Sequence, residues 1–506
     1  MKSLPPDAQI EVQARDVAAS EATLARVDAA IFVLERPARE TALRGLPHAP
    51  LWSALHRAQR GADPNGTLVA RLPNMRHTLV VVGFVEPQAS AFQRLELAAK
   101  LVREALRPGV KRLQLHAPDF AGARRTQMLE ALLSATLAAA APMPEQKTKR
   151  TAPVELTRID LGSRPDPAYD QAVAIAAGNH LARWLALLPP NVLDCVAYRR
   201  ALQQLARREG WSFRFYDLAT LKRLGAGAFL AVARSNPHQG AGIVRLTYRP
   251  RGRARERIAL VGKGICFDTG GINLKAHRSM YTMHGDMQGS AVAVGTLLAL
   301  TRQRAPYAID CWLALTENQI GPEAYRPQEV VTAVNGTTIQ VVHSDAEGRM
   351  VLADTLALAS RERPAFMLDF ATLTGACVAA LTERYSGAFT NRDGLHGWLQ
   401  ATGRQCGERV WCFPQDPDFD AELESPVADV MQCTLDNKGD HILAARFLGR
   451  FVGADVPWVH IDLASAEHKG GLAHVPTEFT GFGVRYACHL LGDPAVLSAR
   501  LTRAAP

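Results

Sequence analysis

Apolar residues in the first 140 positions alternate between short continuous runs and longer stretches with helical spacing. AAIFVLER, HTLVVVGFV and VKRLQLHA have the length of strands, whereas AFQRLELAAKLVREAL and RRTQMLEALLSATLAAAA repeat apolar residues every three or four positions. Strands that alternate with helices predict a smaller N-terminal α/β domain over residues 1–150. The charged, Pro-rich stretch PMPEQKTKRTAP after it is typical of a linker.

The second half of the chain contains four nearly continuous apolar runs, RIALVG, YAIDCWLALT, AFMLDFA and PWVHIDLA. Such runs suit central strands that helices cover on both faces. A helix-period stretch at 166–188 stops at Pro189 and Pro190, so we predict a linker and connecting helix over 151–188. The apolar runs of the remainder, 189–506, predict a larger C-terminal α/β domain with a mostly parallel, mixed central sheet.

Composition narrows the class of protein. The 506 residues are 47% hydrophobic, but no apolar run reaches the roughly 20 residues that span a bilayer. The start, MKSLPPDAQIEVQARD, lacks the apolar core of a signal peptide, so we expect a cytoplasmic protein without membrane contact. Eight cysteines without a CxxC pair are typical of reduced core residues.

The formal charge of +9 raises the question of nucleic-acid binding. Most of that charge is dispersed arginine, and RPRGRARER at 249–257 is the only dense cluster in the sequence. Its position between two predicted strands favours a solvated linker. The pattern therefore argues against nucleic-acid binding as the main role.

Charged residues follow the predicted strands of the second domain in three short segments, GKGICFDTGGINLK, MHGDMQGS and HSDAEGR. They are Lys263, Asp268, Lys275, Asp286, Asp345, Glu347 and Arg349. Asp345 and Glu347 are two positions apart and would point the same way in an extended segment. Four carboxylates that converge in apolar surroundings resist ionisation unless cations neutralise them. A pair of divalent ions is the common solution.

Each of these residues also has an ordinary interpretation when it is taken alone. Asp286 precedes an apolar helix and could be a turn or cap residue, and the two lysines could be surface charges. Arg349 could pair with Glu347 on the surface. The glycines in GKG and TGG form a weak phosphate-loop signal, and the GxxxxGK[ST] pattern is absent from the sequence. The combined spacing, and no single residue, therefore carries the prediction.

The combined segments resemble the leucyl (cytosol) aminopeptidase family. The resemblance rests on GKGICFDTGGINLK, MYTMHGDMQGSA, SDAEGRMVLAD, LDFATLTGA, HIDLAS and TGFGVR, and it runs from about Pro189 to Arg485. The N-terminal domain is similar only in size and α/β character. The resemblance implies a metal-dependent aminopeptidase that releases the N-terminal residue of short peptides through a metal-bridging hydroxide.

The resemblance also implies ligand roles for the charged residues. Two divalent ions are expected, usually zinc, with manganese or magnesium able to replace one of them. Asp268 and Glu347 would contact both ions, Lys263 and Asp286 would complete the tighter site, and Asp345 would complete the exchangeable one. Lys263 would then have to be neutral, which nearby cations favour.

Two further residues receive catalytic roles from the resemblance. Lys275 would stabilise the oxyanion of the scissile carbonyl. Arg349 would hold a bicarbonate ion that shuttles protons. Peptides are the implied substrates, and a homohexamer with active sites facing an interior cavity is the implied assembly.

The wall of the pocket for the first substrate side chain is implied as well. It comprises Met283, Thr372, Gly375, Ala464 and Glu467. The chain departs from the family at His343, where Asn is usual, and at Gly439 to Leu443, where GDHIL replaces GGAIT. Asp440, His441 and Glu467 therefore leave substrate preference open.

Two other functions stay open at the level of the sequence. One is a DNA-binding or assembly role on the same fold, which would use the basic excess. The other is an amidase that acts on a non-peptide amine conjugate, such as a cysteinyl conjugate, with the same metal site and a different pocket.

Overall fold

The computed structural model describes residues 3–503 except 7–9, 38–39, 60–65, 150–151, 237–239, 253 and 255. The chain divides into two compact units. One contains residues 6–176 and 469–478, and the other contains residues 1–5, 177–468 and 479–506. The division falls inside the helix that the sequence predicts at 166–188.

The N-terminal unit is built on a sheet that has six strands within its described residues, in the order β1-β6-β5-β2-β4-β3. The strands are β1 (Glu11–Ala14), β2 (Ala29–Glu35), β3 (Leu68–Arg71), β4 (Leu79–Val85), β5 (Arg112–His116) and β6 (Arg158–Leu161). The helices are α1 (Glu21–Leu24), α2 (Glu40–Arg44), α3 (Ala49–Gln59), α4 (Ala91–Ala105), α5 (Gly122–Ala140) and the first part of α6 (Pro167–Leu187), which continues into the other unit. Neighbouring strands are parallel except β3 and β4. Helices α4 and α5 share one apolar core with the sheet, and Trp52 of α3 belongs to a second one.

The second unit has a sheet with the strand order β15-β14-β17-β13-β9-β10-β8-β7 in the described part of the chain. Its strands are β7 (Ser212–Asp217), β8 (Gly242–Tyr248), β9 (Arg257–Asp268), β10 (Ala308–Asn318), β13 (Phe366–Ala371), β14 (Ser386–Thr390), β15 (Val410–Cys412) and β17 (Trp458–Asp462). A small separate sheet contains β11 (Val330–Thr332), β12 (Thr338–Gln340) and β16 (Val430–Met431). The central strands β17, β13, β9 and β10 run parallel.

Helices cover this sheet on both faces. The helices in the described part of this unit are α7 (Cys195–Glu209), α8 (Leu218–Leu224), α9 (Gly227–Ala233), α10 (His277–Met280), α11 (Gln288–Arg302), α12 (Glu347–Ser360), α13 (Gly375–Leu381), α14 (His396–Cys406), α15 (Asp440–Gly449), α16 (Val484–Leu491) and α17 (Pro494–Arg503). Val261 of β9 belongs to the core that α12 helps to form, whereas a Cβ on the next residue, Gly262, would lie 2.5 Å from Ser290 of α11. Because successive strand residues face opposite sides, α11 and α12 lie on opposite faces.

The predicted fold class is confirmed as a mixed α/β structure with parallel-rich sheets. The cysteines are free, as predicted, and all are buried except Cys412, which is half-buried. Within the described ranges, no helix combines the length and apolarity that crossing a membrane requires. The basic cluster at 249–257 connects β8 to β9, and its positions 253 and 255 lie outside the described residues.

Candidate metal centre

The acidic cluster lies where the central parallel strands end. Asp268 is the last residue of β9, Asn318 is the last residue of β10, and Thr372 follows β13. The sequence pattern predicted a loop from Lys263 onward, and that expectation was wrong. β9 continues to Asp268 because it pairs with β10 along its whole length, so Lys263 projects from a strand. Parallel strands of this kind end at the same edge, which is the usual ligand edge of an open α/β sheet.

Lys263 connects two of the predicted acids. Its Nζ lies 2.9 Å from Oδ1 of Asp286 and 2.9 Å from Oε1 of Glu347. It also donates a hydrogen bond to the carbonyl oxygen of Thr372 at 2.9 Å. The amine needs Gly348 beside it, because a Cβ there would lie 2.8 Å from Nζ. The start of α12 can therefore approach this lysine closely.

Lys275 connects the other two acids. Its Nζ lies 2.9 Å from Oδ2 of Asp268 and 2.6 Å from Oδ1 of Asp345. The second oxygen of Asp268 accepts hydrogen bonds from the backbone N–H of Gly270 and from Nδ2 of Asn318, both at 2.8 Å. Asp268 is therefore fixed from three directions.

The segment that carries Asp345 and Glu347 is not extended, contrary to the sequence-based expectation. Residues 344 and 345 form a turn, and Glu347 is the first residue of α12. Before this segment, β11 and β12 pair antiparallel around Asn335 and Gly336, and an Asn-Gly pair is typical of a hairpin turn. Both carboxylates still reach the cluster, each through a different lysine. Nδ1 of His343 accepts a hydrogen bond from the backbone N–H of Asp345 at 3.3 Å, so this departure from the family supports the turn.

Burial shifts the protonation of these groups strongly. It raises the pKa of Glu347 to about 8, and the nearby Asp268 carboxylate adds to the shift. Burial likewise raises the pKa of Asp286 to about 6 and raises that of Asp345. For Lys263, burial by itself would lower the pKa, but the surrounding carboxylates raise it overall. The neutral lysine that the resemblance requires therefore depends on added cations.

The residues present fit divalent ions. One oxygen each from Asp268, Asp286 and Glu347 lies within 4.8 Å of the others, and all three residues are buried. Oδ2 of Asp286 is buried and bonds to none of the described residues. Four carboxylates and two ammonium groups leave a formal excess of two negative charges. Oxygen-rich, negatively charged clusters with a spare buried oxygen suit divalent cations.

Arg349 lies in the first turn of α12 and is buried. Its Nη1 donates to the carbonyl oxygen of Gln432 at 3.1 Å, and its Nη2 lies 2.9 and 2.7 Å from the two carboxylate oxygens of Asp440. The alternative in which Arg349 pairs with Glu347 on the surface is wrong. The side chain of Gln432 holds the loop before α12 by accepting from the backbone N–H groups of Val342 and His343.

The predicted pocket residues occupy different surroundings. Thr372 belongs to the acidic cluster, because its hydroxyl donates to Oδ1 of Asp286 at 2.7 Å. Ala464 is buried after β17, and Gly375 is exposed at the start of α13. Met283 and Glu467 are both half-buried. The backbone of Glu467 pairs with Phe479, whose ring lies 5.3 Å from that of His284, the neighbour of Met283.

Asn318 and Asp462 are residues that the sequence-based interpretation missed. Asn318 is fully buried and donates to Asp268 and to the carbonyl oxygen of Ser344, so it joins the ends of β9 and the loop before α12. Asp462 accepts from the hydroxyl of Thr374 at 2.7 Å and orients the loop after β13. A signal was available, since both are polar residues at the carboxyl end of an apolar strand.

Comparison with known proteins places this site in a family. The catalytic-domain profile of the cytosol aminopeptidase family matches residues 180–488. A protein named "Probable cytosol aminopeptidase" from Afipia carboxidovorans is 38% identical over 328 residues, which are 64% of this chain and 65% of that protein. A protein of the same name from Synechococcus sp. is 35% identical over 497 residues, which are 92% of this chain and 96% of that protein.

Solved structures agree with the sequence comparisons. The bottromycin maturation enzyme BotP in complex with Mn is 30% identical, with a TM-score of 0.81 over 94% of this chain and all of that one. A mutant of tomato leucine aminopeptidase is 25% identical, with a TM-score of 0.83 over 96% of this chain and 98% of that one. With its acidic cluster inside the matched region, the chain belongs to the cytosol aminopeptidase family.

Proposed function

We propose that the protein is a metal-dependent aminopeptidase that hydrolyses the N-terminal residue from short peptides. The observation that carries the proposal is the buried cluster of Asp268, Asp286 and Glu347, with its spare oxygen on Asp286. Family membership supports the same activity.

The proposed ligand set follows the sequence-based assignment. Asp268 and Glu347 would contact both ions, Lys263 and Asp286 would complete one site, and Asp345 would complete the other. Divalent ions bound there would polarise the scissile carbonyl and lower the pKa of an attacking water. The solved Mn complex of BotP supports manganese as one of the metals, beside zinc or magnesium.

Lys275 and Arg349 are the proposed catalytic side chains. The Nζ of Lys275 is largely buried, and neighbouring carboxylates raise its pKa against the opposing effect of burial, so it stays cationic at neutral pH. A cation in that place can stabilise the oxyanion that develops on the scissile carbonyl. Nη2 of Arg349 already pairs with the Asp440 carboxylate in this chain, so bicarbonate at that nitrogen would have to displace the carboxylate.

The direct test is hydrolysis of a peptide panel by the purified, metal-replete protein. We expect release of single N-terminal residues from free peptides and none from the same peptides with an acetylated N-terminus. The blocked peptides are the control, because a free α-amine is what restricts cleavage to the first residue in the proposed mechanism. Failure to release any residue from the free panel would refute the proposed function.

Glu467 is the proposed determinant of substrate preference. It is half-buried, and its backbone lies against Phe479, which links it through His284 to Met283. A carboxylate that faces this pocket would favour a cationic first residue, Arg or Lys, over Leu. The competing interpretation is that Glu467 turns outward toward His468 or Lys469.

Replacing Glu467 with methionine separates these interpretations. If the carboxylate reads the substrate, the ratio of kcat/KM for Arg-amide to that for Leu-amide should fall by the equivalent of about 1 to 3 kcal/mol. The exposed Glu478, changed to methionine, is the matched control and should leave the ratio unchanged. A ratio that does not move in Glu467→Met would show that Glu467 does not read the substrate.

The proposed assembly is a homohexamer in the cytoplasm, with active sites facing an interior cavity. The proposal rests on the family resemblance and on the name of the relatives, "cytosol aminopeptidase". Light scattering at micromolar concentration should give six times the 54.9 kDa chain mass. A monomeric mass would contradict it.

A second candidate is an amidase that acts on a non-peptide amine conjugate with the same metal centre. Two observations support this candidate. The chain is similar to a solved enzyme of bottromycin maturation, and Asp440, His441 and Glu467 depart from the family pattern. Such an enzyme would hydrolyse cysteinyl conjugates faster than the peptide panel, which distinguishes the two candidates in one assay.

A further inference from the structure

The guanidinium of Arg349 is held in one place by the protein. Only 2% of its side chain is exposed, and it follows Glu347 by two residues in the first turn of α12. The Gln432 carbonyl fixes Nη1, which leaves Nη2 as the nitrogen that faces the Asp440 carboxylate. A buried guanidinium of this kind requires an anionic partner, since an unpaired buried charge is costly.

Asp440 supplies that partner from a different part of the chain. It is the first residue of α15, directly after Gly439 with a φ of +62°. Both oxygens of its carboxylate lie within 3 Å of Nη2, and 14% of its side chain is exposed. The helix N-terminus and the guanidinium both favour a negative charge at this place. Asp440 is therefore paired with Arg349 while part of its side chain stays accessible.

A free anion at the same nitrogen would compete with this carboxylate. Bringing a second negative charge to Nη2 would place two like charges side by side in a mostly buried setting, which raises the free energy of both. The family segment GGAIT has glycine, which carries no side chain, where this chain has Asp440, whose carboxylate contacts the guanidinium. The side chain thus takes the place of the external anion.

We propose that the Asp440 carboxylate is a built-in replacement for bicarbonate at Arg349 and acts as the proton shuttle of the reaction. The inference rests on the proposed aminopeptidase function. In the first step the water O–H bond breaks and its proton passes to Asp440. The water oxygen bonds to the scissile carbonyl carbon, and the π-electron pair of the C=O bond moves to the carbonyl oxygen. In the second step the electron pair on that oxygen re-forms the C=O bond and the C–N bond breaks. Asp440 then gives the proton to the leaving nitrogen.

The first experiment measures anion binding without any substrate. Bicarbonate is titrated calorimetrically into the metal-loaded protein in carbonate-free buffer. Wild type should show no saturable binding, because Asp440 occupies the guanidinium. Asp440→Gly, which restores the family residue, should bind bicarbonate, and the double variant Asp440→Gly, Arg349→Met should not. Saturable binding by wild type, or none by Asp440→Gly, would overturn the proposal.

The second experiment measures peptide hydrolysis by the same proteins with and without bicarbonate. The wild-type rate should not change when bicarbonate is added. Asp440→Asn should lose about 10²-fold or more in kcat and stay low with bicarbonate, because the amide fills the place without accepting a proton. Asp440→Gly should be slow alone and accelerate saturably with bicarbonate.

The results separate three cases. An Asp440→Gly protein that unfolds at the wild-type temperature, binds bicarbonate and stays slow would reduce Asp440 to a structural partner of Arg349 and refute the shuttle. If bicarbonate accelerates the wild-type enzyme, the proposal that Asp440 replaces bicarbonate is refuted. Wild type without any peptidase activity would refute the proposed function, while the calorimetric result would still decide whether Asp440 fills the anion site.

Discussion

Changing Glu347 to glutamine is expected to abolish peptide hydrolysis while the fold is retained. The carboxylate is buried at the start of α12, where it lies 2.9 Å from Lys263 and within 4.8 Å of Asp268 and Asp286. The amide keeps the shape of the side chain but removes the negative charge that would bind both ions. Loss of a supporting group around a metal site already costs about 10- to 100-fold, so loss of a ligand should cost more.

The measurement is kcat/KM together with bound metal by mass spectrometry. Metal content should fall below two ions per chain in Glu347→Gln, and the unfolding temperature without metal should stay near that of the wild type. The control is Glu323→Gln, which removes a carboxylate from an exposed position of the same unit. Turnover near the wild-type value in Glu347→Gln would contradict the ligand assignment.

Chelation is expected to silence the enzyme and to make its stability depend on pH. Burial raises the pKa of Glu347 from 4.5 to about 8, so between these values the metal-free folded protein holds a proton that the unfolded chain lacks. The free energy of unfolding therefore falls as pH rises through this window, by up to about 1.4 kcal/mol for each pH step of one. Bound cations favour the ionised carboxylates and should oppose this loss.

Thermal unfolding at pH 5.5 and pH 8, with chelator and with manganese, measures this effect. Burial also raises the pKa of Glu408 to about 7, and this residue titrates in the metal-free and the metal-loaded protein alike. The informative quantity is therefore the difference in pH dependence between these two forms. The metal-free protein should lose more stability toward pH 8 than the loaded protein, and Glu347→Gln should remove most of that difference. Equal pH dependence with and without metal would contradict the assignment of the cluster as a metal centre.

Activity should return when manganese or zinc replaces the chelated ions. At a free metal concentration of about 1,000 times Kd, binding stabilises the native state by about 4 kcal/mol. A rise of several degrees in the unfolding temperature should therefore accompany the return of turnover. Recovery of activity without a rise in the unfolding temperature would contradict binding of the required metal to the folded protein.

The sequence by itself determined the α/β class, and it predicted the residues that lie together in the main cluster. Continuous apolar runs predict buried parallel strands, and Asp268 ends one of them, at the carboxyl edge where ligand groups collect in such sheets. The Asn-Gly pair at 335 and 336 is likewise a local signal, because this dipeptide favours a hairpin turn. These features depend on short stretches of chain, so they can be recognised without knowledge of distant contacts.

Only the tertiary structure decided the partners that are distant along the chain. Asp440 lies 91 residues from Arg349, and Asn318 lies 50 residues from Asp268, so neither pair has a periodic signal. The extent of β9 up to Asp268 was likewise hidden, because pairing with β10 keeps that polar segment extended. The spacing of charges along the chain thus predicted which groups lie together in the cluster. The packing of the folded chain decided how these charges pair. Burial makes every unpaired charge costly, so partners are selected by their position in space.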